Sequence, residues 1–397
     1  MASEIQTGDV PMFAKIASSL AFASVSGLAA SSVSASELGF SRQGQTAPAA
    51  PASPAANGPF QTFTPTTDPI RHRIDYDIWD FALRNIVVPM GTSNRKGVGR
   101  DSATGTRIRQ GHKSRYRLEG SLVGFYYFNR ETVASFTEYR RDLEAVGTKL
   151  DISRLPRNEQ LAFWFNLHNV ALLEQIALEW PVREPRELEI DGVPLDESKF
   201  ITVGGVEMSL CDIRENIVFA NWRSPKVIYG FWRGEIGGPA LEPMAYTGAN
   251  VGSLLDIAAA DYINSLRGTQ KRGKRLDVST LYEEARPFYF PDFDRDLRAH
   301  LSEYANEDVQ KILSKTDTTT ATVKEWAIAD MSGGARPANY LFVNDGSSAR
   351  VPTAITQLLR RRSNKLLNMK RRGEGTGRVI FSNIDLPGDP PNKNAVY

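Results

Sequence analysis

The chain has 397 residues and a single cysteine, Cys211, so no intrachain disulfide can form and a cysteine-rich zinc site is excluded. Histidine is scarce as well. His72, His112, His168 and His300 are the only four, and no two stand three or four residues apart, so no helical imidazole pair for a metal is expected. An excess of one charge sign is also lacking: 48 Lys and Arg stand against 46 Asp and Glu, a formal charge of +2. That balance gives no overall attraction to nucleic acid, and no nucleic-acid partner is expected. No apolar run reaches the ~20 residues of a membrane-spanning helix. The paired glycines Gly204-Gly205 and Gly237-Gly238 lack the spacing and the Lys-Ser/Thr of a phosphate cradle, so they read as turns and no cofactor is expected.

What is present begins with a leader-like stretch. From Met12, "MFAKIASSLAFASVSGLAASSVSASELGF" carries Lys15, a weakly apolar run of small residues, and Val33-Ser34-Ala35 with a cleavage-site pattern. Acidic Glu4 and Asp9 fit such a leader poorly, which points to Met12 as the translation start. Residues 1–35 are therefore expected to be a signal peptide, and the protein to be exported to the periplasm or secreted. Residues 36–69 are rich in Pro, Ala and Thr and read as a linker unable to offset its ordering entropy.

A folded domain is expected over residues 70–315. Its clearest element is "PRNEQLAFWFNLHNVALLEQIALEW", Pro156 to Trp180, apolar at almost every position and stopped by Pro181; this is a helix buried on most sides. Before it, an amphipathic helix runs from Arg130 and is expected to close at Gly147. After it, residues 188–206 read as short strands around Asp191-Gly192 and Gly204-Gly205 turns. "MSLCDIRENIVFANW" reads as a helix with Ser209 as N-cap and Asp212 three residues on. "KVIYGFWRGEIGGPAL", Lys226 to Leu241, reads as a buried strand entering a glycine turn. The expected fold is α+β, predominantly helical, with a small β-sheet from 188–206 and 226–233 packed against the buried central helix.

Residues 316–397 are expected to be an extension with a basic amphipathic helix and a disordered tail. Arg350, Arg360, Arg361, Arg362, Lys365, Lys370, Arg371 and Arg372 give residues 341–375 a local +6 against Asp345 and Glu374. Ile355, Leu358, Leu359 and Leu366 form an apolar stripe beside them. Two readings follow: a solvated basic face, or a contact with anionic membrane through Arg360, Arg361, Arg362, Lys365, Lys370, Arg371 and Arg372.

Polar residues inside the buried helix must be paired, since an unpaired group costs about 1–3 kcal/mol. Asn166, His168 and Asn169 either tie the helix to neighbouring backbone or face a cleft. In the glycine turn, Arg233, Glu235, Gly237 and Gly238 are candidate binding residues, with Arg233 suited to an anion. Glu235 could also join Arg233, Asp212 or Glu215 in a carboxylate site, although no spacing makes that pairing specific.

Together these segments resemble a family, the domain-of-unknown-function family 547. "NEQLAFWFNLHNVALL" is similar to the family signature R-x-E-Q-L-A-F-W-I-N-L-Y-N-A, and "MSLCDIRENIV" to its L-S-L-x-D-I-E-H segment. "KVIYGFWRGEIGGPAL" is similar to its x-R-I-H-F-A-L-x-C-G-x-x-S-C-P-P-L, and the likeness covers roughly residues 74–312. The family pattern implies thiol chemistry, with two Cys, a Ser and two His. At those positions this chain has Arg233 and Gly238 for the cysteines, Gly237 for the serine, and Ile228 and Asn216 for the histidines. Two functions are therefore expected. One is an exported, non-catalytic member that binds a small molecule or peptide. The other is an extracytoplasmic thiol hydrolase or peptidase-like enzyme that has relocated its chemistry to Cys211 as nucleophile and His168 as base.

Overall fold

A computed structural model of the protein describes residues 58–99, 111–337, 342–344, 350–374 and 395–397. The expected signal peptide, most of the linker and most of the C-terminal tail lie outside these residues.

The fold is α+β and mainly helical. Its principal helices are α1 (Asp77–Ile86), α2 (Arg130–Lys149), α3 (Arg157–Glu179), α4 (Val251–Ile263), α5 (Phe293–Tyr304) and α6 (Thr353–Arg371). Helix α3 runs through the centre, and Leu161 through Ala171 are all buried. An all-round apolar sequence leaves such a helix no solvent face, so its neighbours must enclose it. Helix α2, capped by the Asn129 side chain on the Thr132 amide at 2.8 Å, lies alongside. The buried Arg140 guanidinium joins the two helices by pairing with Glu174 of α3 and Glu144 of α2. Helix α2 runs past Gly147 to Lys149.

Regular structure is present before Ile70, within the expected linker. Gly58–Phe63 form a short 3-10 helix with Phe60 and Phe63 buried, and the Phe63 ring meets Trp164 edge-on at 5.0 Å. Two aromatics supply the apolar area that the Pro- and Ala-rich stretch around them lacks.

The strands are short and distributed over five small sheets among the described residues. β1 (Val87–Pro89) pairs antiparallel with β2 (Ser121–Val123). The hairpins β3 (Glu189–Ile190)–β4 (Val193–Pro194) and β5 (Ile201–Val203)–β6 (Val206–Met208) turn at the expected dipeptides. Asp191 and Gly192 have φ 51° and 78°, and Gly204 and Gly205 have 56° and 80°, as a primed two-residue turn requires.

The expected strand at 226–233 is absent. Pro225–Gly230 instead form a 3-10 helix with Val227, Ile228, Tyr229 and Gly230 buried. Pro225 sits in its first turn, where its missing N–H is not needed. A short apolar run of this kind is compatible with either conformation, and its pattern alone does not choose between them.

The largest sheet escaped the sequence reading. β7 (Thr269–Arg272) pairs antiparallel with β8 (Arg275–Ser279), and β9 (Thr318–Val323), the Thr-rich segment, joins β8 in parallel. A boundary at 315 therefore cuts through a sheet. The chain that follows is equally integrated, with bridges Glu235–Ile328 and Val123–Asp330.

Helix α6 also docks on this body. Ile355 and Leu358 of its apolar stripe are buried. The buried Lys365 ammonium donates to the carbonyls of Met90 (3.1 Å), Gly91 (3.3 Å) and Leu118 (2.6 Å), and the Arg362 guanidinium to that of Pro89 (2.5 Å). These two cations and much of the stripe thus face protein rather than a surface partner. Arg360, Lys370, Arg371 and Arg372 remain exposed.

Candidate ligand pocket

The polar residues of α3 build a frame. Asn166 Nδ2 donates to the Tyr246 carbonyl at 2.7 Å and its Oδ1 accepts the Tyr246 N–H at 3.1 Å. Asn169 does the same one turn on, donating to the Gly230 carbonyl at 3.0 Å and accepting the Trp232 N–H at 3.0 Å. Both are buried braces that hold neighbouring backbone, and neither lines the pocket described below. Gly230 must be glycine, because a Cβ there would fall 2.4 Å from the Phe165 ring.

The turn after this brace is held from all sides. Ile236 and Gly237 N–H groups donate to the Ala327 and Glu325 carbonyls at 2.8 and 3.0 Å. Tyr262 Oη donates to the Gly237 carbonyl at 2.8 Å, and the buried Arg267 to that of Gly238 at 2.7 Å. A Cβ at Gly237 would lie 2.5 Å from the Glu325 oxygen, so no side chain fits at that position without moving the segment after β9.

Beside the turn lies a cavity of about 280 Å³. Its walls include Arg233, Glu235, Gly237 and Gly238 from the turn, His168 and Leu172 from α3, and Tyr262 from α4. Leu210 and Arg214 come from the "SLCDIREN" helix, Arg186 and Asp196 from the segments around β3 and β4, Glu284 from the turn after β8, and Lys324, Glu325 and Trp326 from the segment after β9. Arg214 reaches the wall from an eight-residue π-helix, Asp212–Phe219. Ser209 and Asp212 cap the helical turn that leads into it, Ser209 being the expected N-cap: each backbone N–H donates to the other's side chain, at 2.9 and 3.0 Å. The widened turns of a π-helix reset which residues share a face, and such turns recur at functional sites.

Four charged side chains dominate the interior wall. Arg214, with 2% of its side chain exposed, makes a bidentate pair with Asp196 at 2.7 and 2.6 Å and reaches Glu284 at 3.3 Å. Arg233 hydrogen-bonds the same Glu284 oxygen and lies 3.6 Å from Asp196. Burial works against ionisation at both carboxylates, but the two guanidiniums outweigh it and hold them below the usual carboxylate range. Burial likewise disfavours the Arg214 cation, and Asp196 with Glu284 reverses that.

Glu235 behaves differently. Burial pushes its carboxyl up to about 7, although Arg186 donates to it at 2.7 Å. Arg186 and Lys324 both lie over the Trp326 ring, 4.0 and 4.6 Å from its centre.

His168 is on the wall but is committed. Its Nε2 is 3.2 Å from Arg214 Nη1, which can only donate, so Nε2 accepts and the proton sits on Nδ1, directed at Asn169 Oδ1 at 3.1 Å. Burial, then the charges of Arg214 and Arg233, hold it neutral and well below the usual imidazole range. Cys211 is half-buried and does not line the cavity. Burial pushes its thiol up to about 12 despite the nearby Arg214. The relocated nucleophile–base pair is thus not assembled on the wall.

Of the other carboxylates considered, Asp212 serves the cap and accepts from Asn216 at 2.8 Å, and neither Asp212 nor Glu215 lines the cavity. Asp196, Arg214, Glu284, Lys324 and Trp326 escaped the sequence reading. Arg214 carried a signal, as a charge inside an otherwise amphipathic segment; the others converge only through tertiary contacts. Among the described residues no cluster of His, Cys, Asp and Glu could hold a metal ion. His112 donates to the Ile328 carbonyl at 2.7 Å and His300 pairs with Tyr229 Oη at 2.9 Å, each away from the cavity.

The family model described as "Protein of unknown function, DUF547" matches residues 152–263. Residues 152–263 are thus similar to that family. No curated protein and no solved structure matches the chain. The DUF547 segment supplies α3, the β3–β6 hairpins, the Arg214 helix, the turn and α4. The wall residues Glu284, Lys324, Glu325 and Trp326 follow it in the chain. The pocket is thus made by the DUF547 segment and the sheet that succeeds it.

Proposed function

We propose that the domain is a non-catalytic binding module of an exported protein, with a small polar molecule or peptide as its ligand. The observation that carries this reading is the Arg214–Asp196–Arg233–Glu284 network on the pocket wall. Where the family pattern places a cysteine, this chain places Arg233, and that guanidinium is neutralised by two carboxylates rather than poised beside a base. A thiol nucleophile needs a lowered pKa or an adjacent base. Cys211 has a raised one, and His168 is spent on Arg214 and Asn169. These features weigh against the hydrolase reading.

The test joins a ligand screen to a turnover assay. Small polar compounds that occupy the pocket raise the thermal midpoint, by about 2.7 kcal/mol of stabilisation at a hundred times the dissociation constant. Hydrolysis of ester, thioester or peptide substrates that disappears in Cys211→Ala would overturn the reading. Export is read from residues 12–35 alone; N-terminal sequencing of mature protein, with cleavage after Ala35, is its check.

A further inference from the structure

We propose that the pocket takes a zwitterion of amino-acid to dipeptide size, its carboxylate on Arg233 and its ammonium against the open carboxylate oxygens of Glu235 and Glu284. This deepens the binding reading and rests on it.

The charges of the wall differ in how many of their hydrogen-bonding groups remain available. Arg214 is largely committed, since Asp196, Glu284 and His168 take four of its five N–H donors and Asp196 accepts on both oxygens. Arg233 commits one nitrogen, Nη2, to Glu284, while its Nη1 stands 3.6 Å from Asp196, beyond a good hydrogen bond. Its Nε and Nη1 donors are left for a ligand in a side chain only 14% exposed. On the acidic side, Glu235 receives Arg186 on Oε1 and Glu284 receives both arginines on Oε1, which leaves Oε2 open on each among the described residues. The Lys324 ammonium, over the Trp326 ring, adds a further donor, so the wall offers a ligand both donors and acceptors.

Balance then selects the ligand's charge. The lining holds four basic and four acidic side chains. A phosphate-like dianion would meet Arg233 but also two carboxylates with open oxygens, and a bare cation would meet the reverse. A ligand carrying one charge of each sign satisfies both sets, which is electrostatic complementarity in its simplest form. Leu172, Leu195, Leu210 and Leu281 complete the wall and offer an apolar side chain a place to sit. The cavity, about 280 Å³, lies at the small end of the ~300–1,000 Å³ usual for ligand pockets, which suits an amino acid or dipeptide and excludes long peptides.

The experiment is calorimetric titration of the full chain with L-leucine and L-leucyl-L-leucine, alongside leucinamide, 4-methylpentanoate and inorganic phosphate. The proposal expects at least one of the first two to bind, with leucinamide (no carboxylate) and 4-methylpentanoate (no ammonium) each at least tenfold weaker. Arg233→Met should weaken leucine binding at least tenfold, and Glu235→Gln gives the same readout if the arginine variant does not fold. Arg372→Ala, at the exposed C-terminal end of α6, should leave binding unchanged. Phosphate binding alone, or 4-methylpentanoate binding as tightly as leucine, overturns the zwitterion while the binding reading stands. Silence from all five probes overturns it too, and the broader thermal screen then decides the binding reading separately.

Discussion

Alkylation of Cys211 separates a retained catalytic thiol from a core residue. The perturbation is a neutral alkylating reagent applied at pH 7 to folded and denatured protein. A free thiol titrates near 8.5, whereas burial pushes the Cys211 thiol up to about 12. The difference of about 3.5 units lowers the thiolate fraction by about 3,000-fold. The more basic thiolate is a better nucleophile, and with a Brønsted slope of ~0.4–0.5 it recovers about 40-fold. The expected outcome is alkylation roughly 100-fold slower in the folded protein than in the denatured one, before any further hindrance from partial burial. The assay is mass spectrometry of quenched time points, repeated from pH 5 to 9. The folded rate should rise about tenfold per pH unit across the range with no plateau. A plateau below pH 8, or folded protein that reacts faster than denatured, would refute the reasoning and restore Cys211 as an activated nucleophile.

His112 accepts the Ser114 N–H at 3.1 Å and donates to the Ile328 carbonyl, so only its neutral form fits, and burial lowers its pKa to about 4. Its stabilisation is complete above the unfolded value near 6.5 and is lost as pH falls towards 4. By pH 5 that loss is about 2 kcal/mol, and His112→Gln should flatten the pH dependence of unfolding free energy by that amount; an unchanged slope would show that the ring is solvated. Asn169→Ala leaves the Gly230 carbonyl, the Trp232 N–H and His168 Nδ1 unpaired in the core, so denaturant unfolding should show a loss of at least about 3 kcal/mol at constant m-value. A Cβ at Gly238 would stand 3.2 Å from that of Arg233, a few tenths of an ångström inside the usual ~3.5–4.5 Å of a disulfide. The Arg233→Cys/Gly238→Cys double variant should therefore oxidise to one intramolecular disulfide, read as a loss of two titratable thiols; retention of all three free thiols would mean that the turn does not bring positions 233 and 238 together.

The sequence exposed those parts of the fold that depend on short stretches. An all-round apolar helix, a Ser209–Asp212 cap and two φ-positive dipeptides each act over a few residues, and each formed where expected. The asparagines of α3 were legible as polar groups in need of partners; whether those partners were backbone or ligand depended on Tyr246, Gly230 and Trp232, 61 to 80 residues away. The β7–β9 sheet was invisible for the same reason. Its outer strands read Thr-Gln-Lys-Arg and Thr-Thr-Thr-Ala-Thr-Val, mostly polar, the alternation of Arg-Leu-Asp-Val-Ser in β8 is only five residues long, and β8 meets β9 only after four helices intervene. The pocket carboxylates fared worst. Asp196 lies after a hairpin and Glu284 in a one-turn helix, neither with any spacing that marks them as partners of Arg214 and Arg233.

That network also explains why the turn would not gain thiol chemistry through one substitution. Arg233 is a mostly buried cation, and such a cation persists only when paired; Glu284 and Asp196 supply the pairing and are themselves held ionised by it. Arg233→Cys alone would leave Glu284 to Arg214, already bidentate on Asp196, and would place the new thiol beside two carboxylates that disfavour its thiolate. The bases would still be missing. Ile228 is 1% exposed in the 3-10 helix, where an imidazole would need a partner the core does not offer, and Asn216 is tied to the cap residue Asp212. Gly237 has no room for a serine side chain against the Glu325 carbonyl. Arginine, glycine, isoleucine and asparagine at these positions thus fit the proposed binding role, in which the wall holds charge.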